Sequence, residues 1–184
     1  MVLNYMCKGY VHITDDATRE GNLKYRRLAH FLIECAIFIL ILGEVVIMRK
    51  FLFFDIDGVV VIDNMLSAKC VNNVRRLISL VPNLEVVLTS TRRADERQCE
   101  QIKDLLGVSY LQKTPVSHKS SRSEEIKEFL VKIPEPYSFA IVDDDINLYK
   151  YYFRELIICN KYQGFTEDVA YALYGVLQNN SVIK

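Results

Sequence analysis

The sequence predicts an α/β fold, a parallel sheet with helices on both faces, from two observations. Short apolar runs alternate with helix-period segments from residue 48 onward, and each apolar run stops at polar side chains. Strands separated by helices need crossover connections, which leave the strands parallel and bury both faces of the sheet. Strands buried on both faces read as continuous apolar runs, as these do.

The first strand is expected over 51–56, where Phe51-Leu-Phe-Phe runs into a polar turn that contains Gly58. A helix is expected over 68–80, with Val71, Val74, Leu77 and Ile78 on one face. The second strand, 84–88, follows Pro82-Asn83 and ends in Thr89-Ser90-Thr91. Helical patterns cover 94–106 and 123–131. The third strand, 137–142, comes after Pro134 and Pro136 and ends in Asp143-Asp144-Asp145. A fourth, 156–159, ends at Asn160, and a last helix covers 166–177 with Thr166 as its N-cap. In open parallel sheets, ligands bind beyond the carboxyl ends of the strands. The polar clusters therefore converge on one sheet edge, although they lie far apart in sequence.

The chain has 184 residues, with 23 Lys plus Arg against 23 Asp plus Glu, so net charge advertises no polyanionic partner. Five cysteines, Cys7, Cys35, Cys70, Cys99 and Cys159, are odd in number and form no CxxC pair. They read as reduced thiols of a cytoplasmic protein. Residues 1–47 form an N-terminal extension to a domain over 48–184. Within it, 28–47 is mostly apolar, but Glu34 and Glu44 leave only 35–43 uninterrupted, too short to cross a bilayer. Basic residues flank both ends, giving no orientation. Three readings stay open: an amphipathic helix or poorly ordered extension, an upstream artefact with Met48 as the true start, and a membrane anchor. No stable membrane partner is expected.

The chemistry starts at Asp55-Ile-Asp57-Gly58. Two carboxylates two residues apart at a strand end share a face, and Gly58 permits a turn that a side chain would hinder. If both reach one site, their repulsion calls for a cation, and such oxygen-rich sites suit Mg2+. A lone DxDG is also a common turn, so the other clusters decide. Asp143-Asp144-Asp145 ends an apolar strand, and three successive carboxylates are costly together without a counter-cation.

These clusters together resemble the haloacid dehalogenase (HAD)-like hydrolase superfamily over roughly 49–179. The resemblance implies a three-layer Rossmann-like fold and a phosphatase, with Asp55 as nucleophile and Asp57 as general acid/base. It implies a phosphate-binding hydroxyl at the second strand end, Thr89 first and Ser90 close behind. It also implies a stabilising cation, for which Arg122 is favoured over Lys119 and Lys127. An arginine placed like that of Arg122-Ser-Glu-Glu-Ile126 serves this role in polynucleotide 3'-phosphatase domains. Asp143 and Asp144 would hold Mg2+ with Asp55 and Asp57, Asp145 being the weaker ligand. Gly58, Arg92 and Lys119 are candidate substrate-binding residues, although surface arginines opening a helix equally describe Arg92 and Arg93.

With Asn160-Lys-Tyr-Gln-Gly164, the pattern looks most like HAD domains attached to RNA-repair proteins. One departure is Ser123, where glycine is expected. About 32 residues separate Asp57 from Thr89 and about 33 separate Thr89 from Arg122, room for one helix each. Neither gap holds the cap domain of small-molecule phosphatases, so the expected substrate is a nucleic-acid end, RNA or DNA, or a nucleotide. Tyr110, Lys113, His118, Lys119, Tyr149, Lys150, Tyr151 and Tyr152 are candidates to hold it. Phosphoprotein or small-molecule phosphatase activity, or a non-catalytic phosphate- or nucleic-acid-binding module, are the competing readings.

Overall fold

A computed structural model of the protein describes residues 48–116 and 121–179. The apolar stretch at 28–47, together with Cys7, Cys35, His118 and Lys119, lies outside the described residues. Among the described residues, no helix is long and apolar enough to cross a membrane. Cys70, Cys99 and Cys159 are free and buried.

Five strands form one parallel sheet: β1 (Arg49–Phe54), β4 (Leu84–Leu88), β5 (Gln112–Lys113), β6 (Tyr137–Asp143) and β7 (Leu156–Ile158), in the order β5-β4-β1-β6-β7. A two-stranded hairpin, β2 (Val61–Ile62) with β3 (Met65–Leu66), follows β1. Four helices cover the sheet: α1 (Ala68–Leu80), α2 (Glu96–Leu106), α3 (Arg122–Leu130) and α4 (Glu167–Asn179).

Alternation along β1 explains the three layers. Leu52 and Phe54 point to one face, where Val71, Val74 and Leu77 of α1, Ile102 and Leu106 of α2, and Leu173 and Leu177 of α4 cover them. Phe51 and Phe53 point to the other, against Ile126 and Leu130 of α3 and Phe139 and Ile141 of β6. Every side chain from Phe51 to Phe54 is fully buried, and each such burial contributes on the order of 2 kcal/mol. Phe53 adds edge-to-face contacts with Phe129 and Phe139, centroids 5.5 and 5.8 Å away.

Helix boundaries follow local chemistry. The Ser67 hydroxyl accepts from the Cys70 N–H at 3.3 Å to start α1, and Asp95 accepts from the Arg97 N–H at 2.9 Å to start α2. Gly107 ends α2 at φ 71°. Thr166 caps α4, accepting from the Val169 N–H at 3.3 Å. The 94–106 helix is in fact two pieces, a 3₁₀ turn Thr91–Ala94 and then α2, because Asp95 restarts the chain with its own cap.

The chain proceeds from β1 out to β4 and β5, then crosses back to β6 on the other side of β1. The strand order reverses at β1, and that is where an open parallel sheet leaves a crevice at its carboxyl edge. The connections from β1 to β4 and from β4 to α3 hold, among the described residues, the hairpin with α1, and α2 with β5. Neither holds a cap domain.

Candidate active site

Asp55 follows the last residue of β1, its N–H donating to the Val142 carbonyl at 3.1 Å. The strand is therefore still held as the carboxylate enters the crevice. Asp143 closes β6 and Asp144 follows it. Carboxylate oxygens of Asp55, Asp143 and Asp144 lie within 4.8 Å of one another, an oxygen-only cluster of the kind that suits a hard divalent cation. Burial, then the Asp143 charge, push the Asp55 carboxyl up to about 7, against a smaller lowering by Arg122. Burial and Asp143 also raise Asp144. A cation between the three would relieve that repulsion, so the residues present fit Mg2+.

Asp143 itself is fully buried, with Oδ2 accepting from the Tyr149 hydroxyl at 2.8 Å and Oδ1 from the Asp145 N–H at 3.0 Å. Tyr149 thus orients a carboxylate from behind, which nothing in its sequence neighbourhood announces. Burial and the Asp143 charge hold its phenol protonated, well above the ordinary value. Asp145 turns away to cap the 3₁₀ turn Ile146–Leu148, accepting from the Asn147 N–H at 2.9 Å.

Arg122, the first residue of α3, donates to Asp55 Oδ1 at 3.2 Å and also to the Thr89 carbonyl. Lys127 is exposed further along the helix, so the structure brings Arg122 rather than Lys127 to Asp55. The choice rests on helix entry. Ser121 and Glu124 close a capping box there, and Ser123 is fully buried with its hydroxyl accepting from the Lys150 N–H at 3.0 Å and donating to the Tyr151 carbonyl at 3.3 Å. The serine in place of glycine therefore ties α3 to the loop after the Asp triplet.

Thr89 and Ser90 sit beyond β4, both buried. Ser90 caps the following turn through the Arg92 N–H at 3.4 Å. The Thr89 hydroxyl oxygen, in contrast, is buried with no hydrogen-bond partner among the described residues. An unmade hydrogen bond of this kind costs about 1–3 kcal/mol, and a ligand oxygen would supply it.

Asp57 behaves differently from its neighbour. Its side chain is half exposed and outside the carboxylate cluster, both oxygens engaged by Arg92 at 2.9 and 2.5 Å. Arg93, by contrast, is no surface residue: it is 4 % exposed and ion-paired with Glu125 of α3 at 2.7 Å. It also donates to the Thr114 carbonyl at 3.2 Å. Among the edge aromatics, Tyr149 is buried on Asp143, and Tyr152, stacked edge-on against Phe139 and Tyr151, serves packing. Tyr110 is exposed, Lys113 is paired with Glu96, and Lys150 with Glu124 at 3.5 Å.

Gly58 has φ +72°, and a Cβ there would lie 2.2 Å from Asp144 Cγ. The Asp144 side chain lies over the glycine, so the turn and the third carboxylate of the cluster depend on each other. An open groove of about 390 Å³ starts at this point, with Asp57, Gly58 and Asp144 in its lining. The hairpin tip, Asp63 and Asn64, lines it too, as do Lys161 and Tyr162.

The model of one protein family, described as the HAD domain in Swiss Army Knife RNA repair proteins, matches residues 51–170. No curated protein and no solved structure matches the chain.

Proposed function

The chain belongs to the family of HAD domains found in Swiss Army Knife RNA repair proteins, and from that premise we propose that it is a Mg2+-dependent phosphomonoester hydrolase acting on nucleic-acid ends or nucleotides. One observation carries the reading: Asp55, Asp143 and Asp144 converge, and Arg122 donates both to Asp55 and to the carbonyl of Thr89, the residue that ends the neighbouring strand.

Asp55, Asp143 and Asp144 would hold the ion. Bound there, Mg2+ neutralises charge on the phosphoryl oxygens and on the carboxylates that face them. Asp55 attacks phosphorus with a carboxylate oxygen, and the bond from phosphorus to the ester oxygen breaks. Asp57 gives its proton to the departing oxygen, leaving an aspartyl-phosphate. Asp57 then takes a proton from water, the resulting hydroxide attacks phosphorus, and the bond to Asp55 breaks to release phosphate. Thr89 donates its free hydroxyl to a phosphoryl oxygen, and the Arg122 guanidinium stabilises the charge that spreads over the transferring group. Arg92, now on Asp57, has a phosphate as its natural alternative partner, since a guanidinium fork matches either anion. The missing cap leaves the crevice open to a polymer end.

The test is phosphate release from a 3'-phosphorylated oligonucleotide with Mg2+, beside a panel of nucleotides, phosphopeptides and small phosphomonoesters. Asp55→Asn should lower turnover by at least about 10³-fold, as loss of a covalent nucleophile does. Equal turnover by the variant would defeat the mechanism, and preference for a phosphopeptide would move the substrate class.

A further inference from the structure

We infer that the Lys161–Tyr162 part of the groove lining is a stacking subsite for the base of the nucleotide that carries the phosphate. The inference rests on the phosphohydrolase reading and adds the part of the substrate held beside the reacting group.

Tyr162 is 69 % exposed and lines the groove that starts at Asp57 and Asp144, so its ring is open to a ligand there. The backbone beneath it is not loosely placed. The turn that carries it is closed by the Tyr162 N–H donating to Asn160 Oδ1 at 2.9 Å and the Gly164 N–H to the Asn160 carbonyl at 2.8 Å. The same turn is clamped to the loop after Asp55. The Phe165 N–H donates to the Val59 carbonyl at 2.8 Å, and a Cβ on Gly164 would lie 2.5 Å from that carbonyl. The backbone that carries the exposed ring is thus fixed relative to the nucleophile, so a ligand that stacks on the ring has little beyond the side chain to order.

Charge narrows what the ring takes. Three carboxylates, Asp57, Asp63 and Asp144, line the groove with Lys161, whose ammonium lies 5.1 Å from the Tyr162 centroid. A second phosphate would be repelled there, whereas a neutral flat base is not. Bases present ring nitrogens and exocyclic amines that Asn64 and Asp63, in the same lining, can meet as donor and acceptor. The volume of about 390 Å³ falls in the range of small-ligand pockets. Stacking tolerates any base, which suits an enzyme that meets every sequence at an end.

The experiment separates this inference from the reading beneath it. A 3'-phosphorylated oligonucleotide with 2-aminopurine as its terminal base is titrated with the full chain in EDTA, where no turnover occurs, and stacking is read as quenching. Quenching is expected with wild type and Tyr162→Phe and should be lost with Tyr162→Ala. A parallel titration with 2-aminopurine nucleoside 3'-phosphate separates a polymer end from a free nucleotide as the source of the base. In Mg2+, the Tyr162→Ala preference for an oligonucleotide with a terminal base over one with a terminal abasic site should fall about tenfold. Quenching that survives Tyr162→Ala, or that wild type never shows, overturns the subsite. Absence of phosphate release by wild type from every substrate overturns the hydrolase reading, whatever the quenching shows.

Discussion

Asp55 illustrates how a site's chemistry costs a fold stability. Its carboxyl is pushed from an ordinary 3.8 up to about 7 by burial and by Asp143. Between those values the folded chain holds a proton that the unfolded chain has released. Stability from this group is therefore full below about pH 4 and is lost as pH rises through 7. In metal-free protein, Asp55→Asn should raise Tm by several degrees at about pH 8 and much less at about pH 4.5. Thermal melts in EDTA at the two pH values check this, and an equal gain at both would show that ionisation is not the cause. Gly58 carries the opposite lesson, since its φ of +72° and the 2.2 Å approach of Asp144 leave no place for a methyl group. Gly58→Ala should cost at least about 1 kcal/mol from the backbone alone, and more from displacing Asp144. A lowered Tm with weaker Mg2+ protection of the fold would report both effects.

At the scale of elements, the carboxyl edge of the sheet is built by cross-ties between strand ends and α3. Arg93 is the firmest, joining the 3₁₀ turn after β4 to Glu125 while donating to the Thr114, Ser90 and Pro115 carbonyls. Removing the arginine from a pair this buried breaks the ion pair and these carbonyl hydrogen bonds together, at about 3–5 kcal/mol. Arg93→Ala should lose that much in urea denaturation, and a loss under about 1 kcal/mol would mean that water replaces the guanidinium. This tie was invisible in the sequence, where Arg92 and Arg93 look alike; only the 3₁₀ turn sends one to Asp57 and the other inward. The four long apolar runs and the four amphipathic segments were legible because burial on both faces, or on one helical stripe, writes itself into composition. The two-residue β5, Gln112–Lys113, lies at the sheet edge and needs no apolar pattern. The β2–β3 hairpin left one clue, Asp63-Asn64, which adopts φ 49° and 62°, the left-handed turn that such residues tolerate. Within the site, Asp55, Asp143, Asp144, Thr89 and Arg122 were legible as strand-end or helix-entry residues. Tyr149 and Ser123 were not, since they act through contacts between segments distant in sequence.

For the molecule as a whole, everything that places the carboxylates begins at β1. Arg49 already pairs with Glu85, its Nε and Nη2 donating to the carboxylate at 2.7 and 2.9 Å. Lys50 reaches Gln178 of α4 at 3.0 Å. The strand is central, hydrogen-bonded on both sides from its first residues, and its four buried side chains feed both cores. Residues 47–184 form one compact unit, and the sheet, the two cores and the crevice lie within it. We therefore propose that a protein starting at Met48 folds alone and keeps its chemistry. Such a protein should unfold in one cooperative transition, with Tm within a few degrees of the full chain. Its kcat/KM on a 3'-phosphorylated oligonucleotide should be within about threefold. A truncated chain that unfolds non-cooperatively would show that residues 1–47 complete the core. One that folds but loses activity would show that they complete the substrate surface, because neither Asp55 nor the residues around it would have lost a described contact.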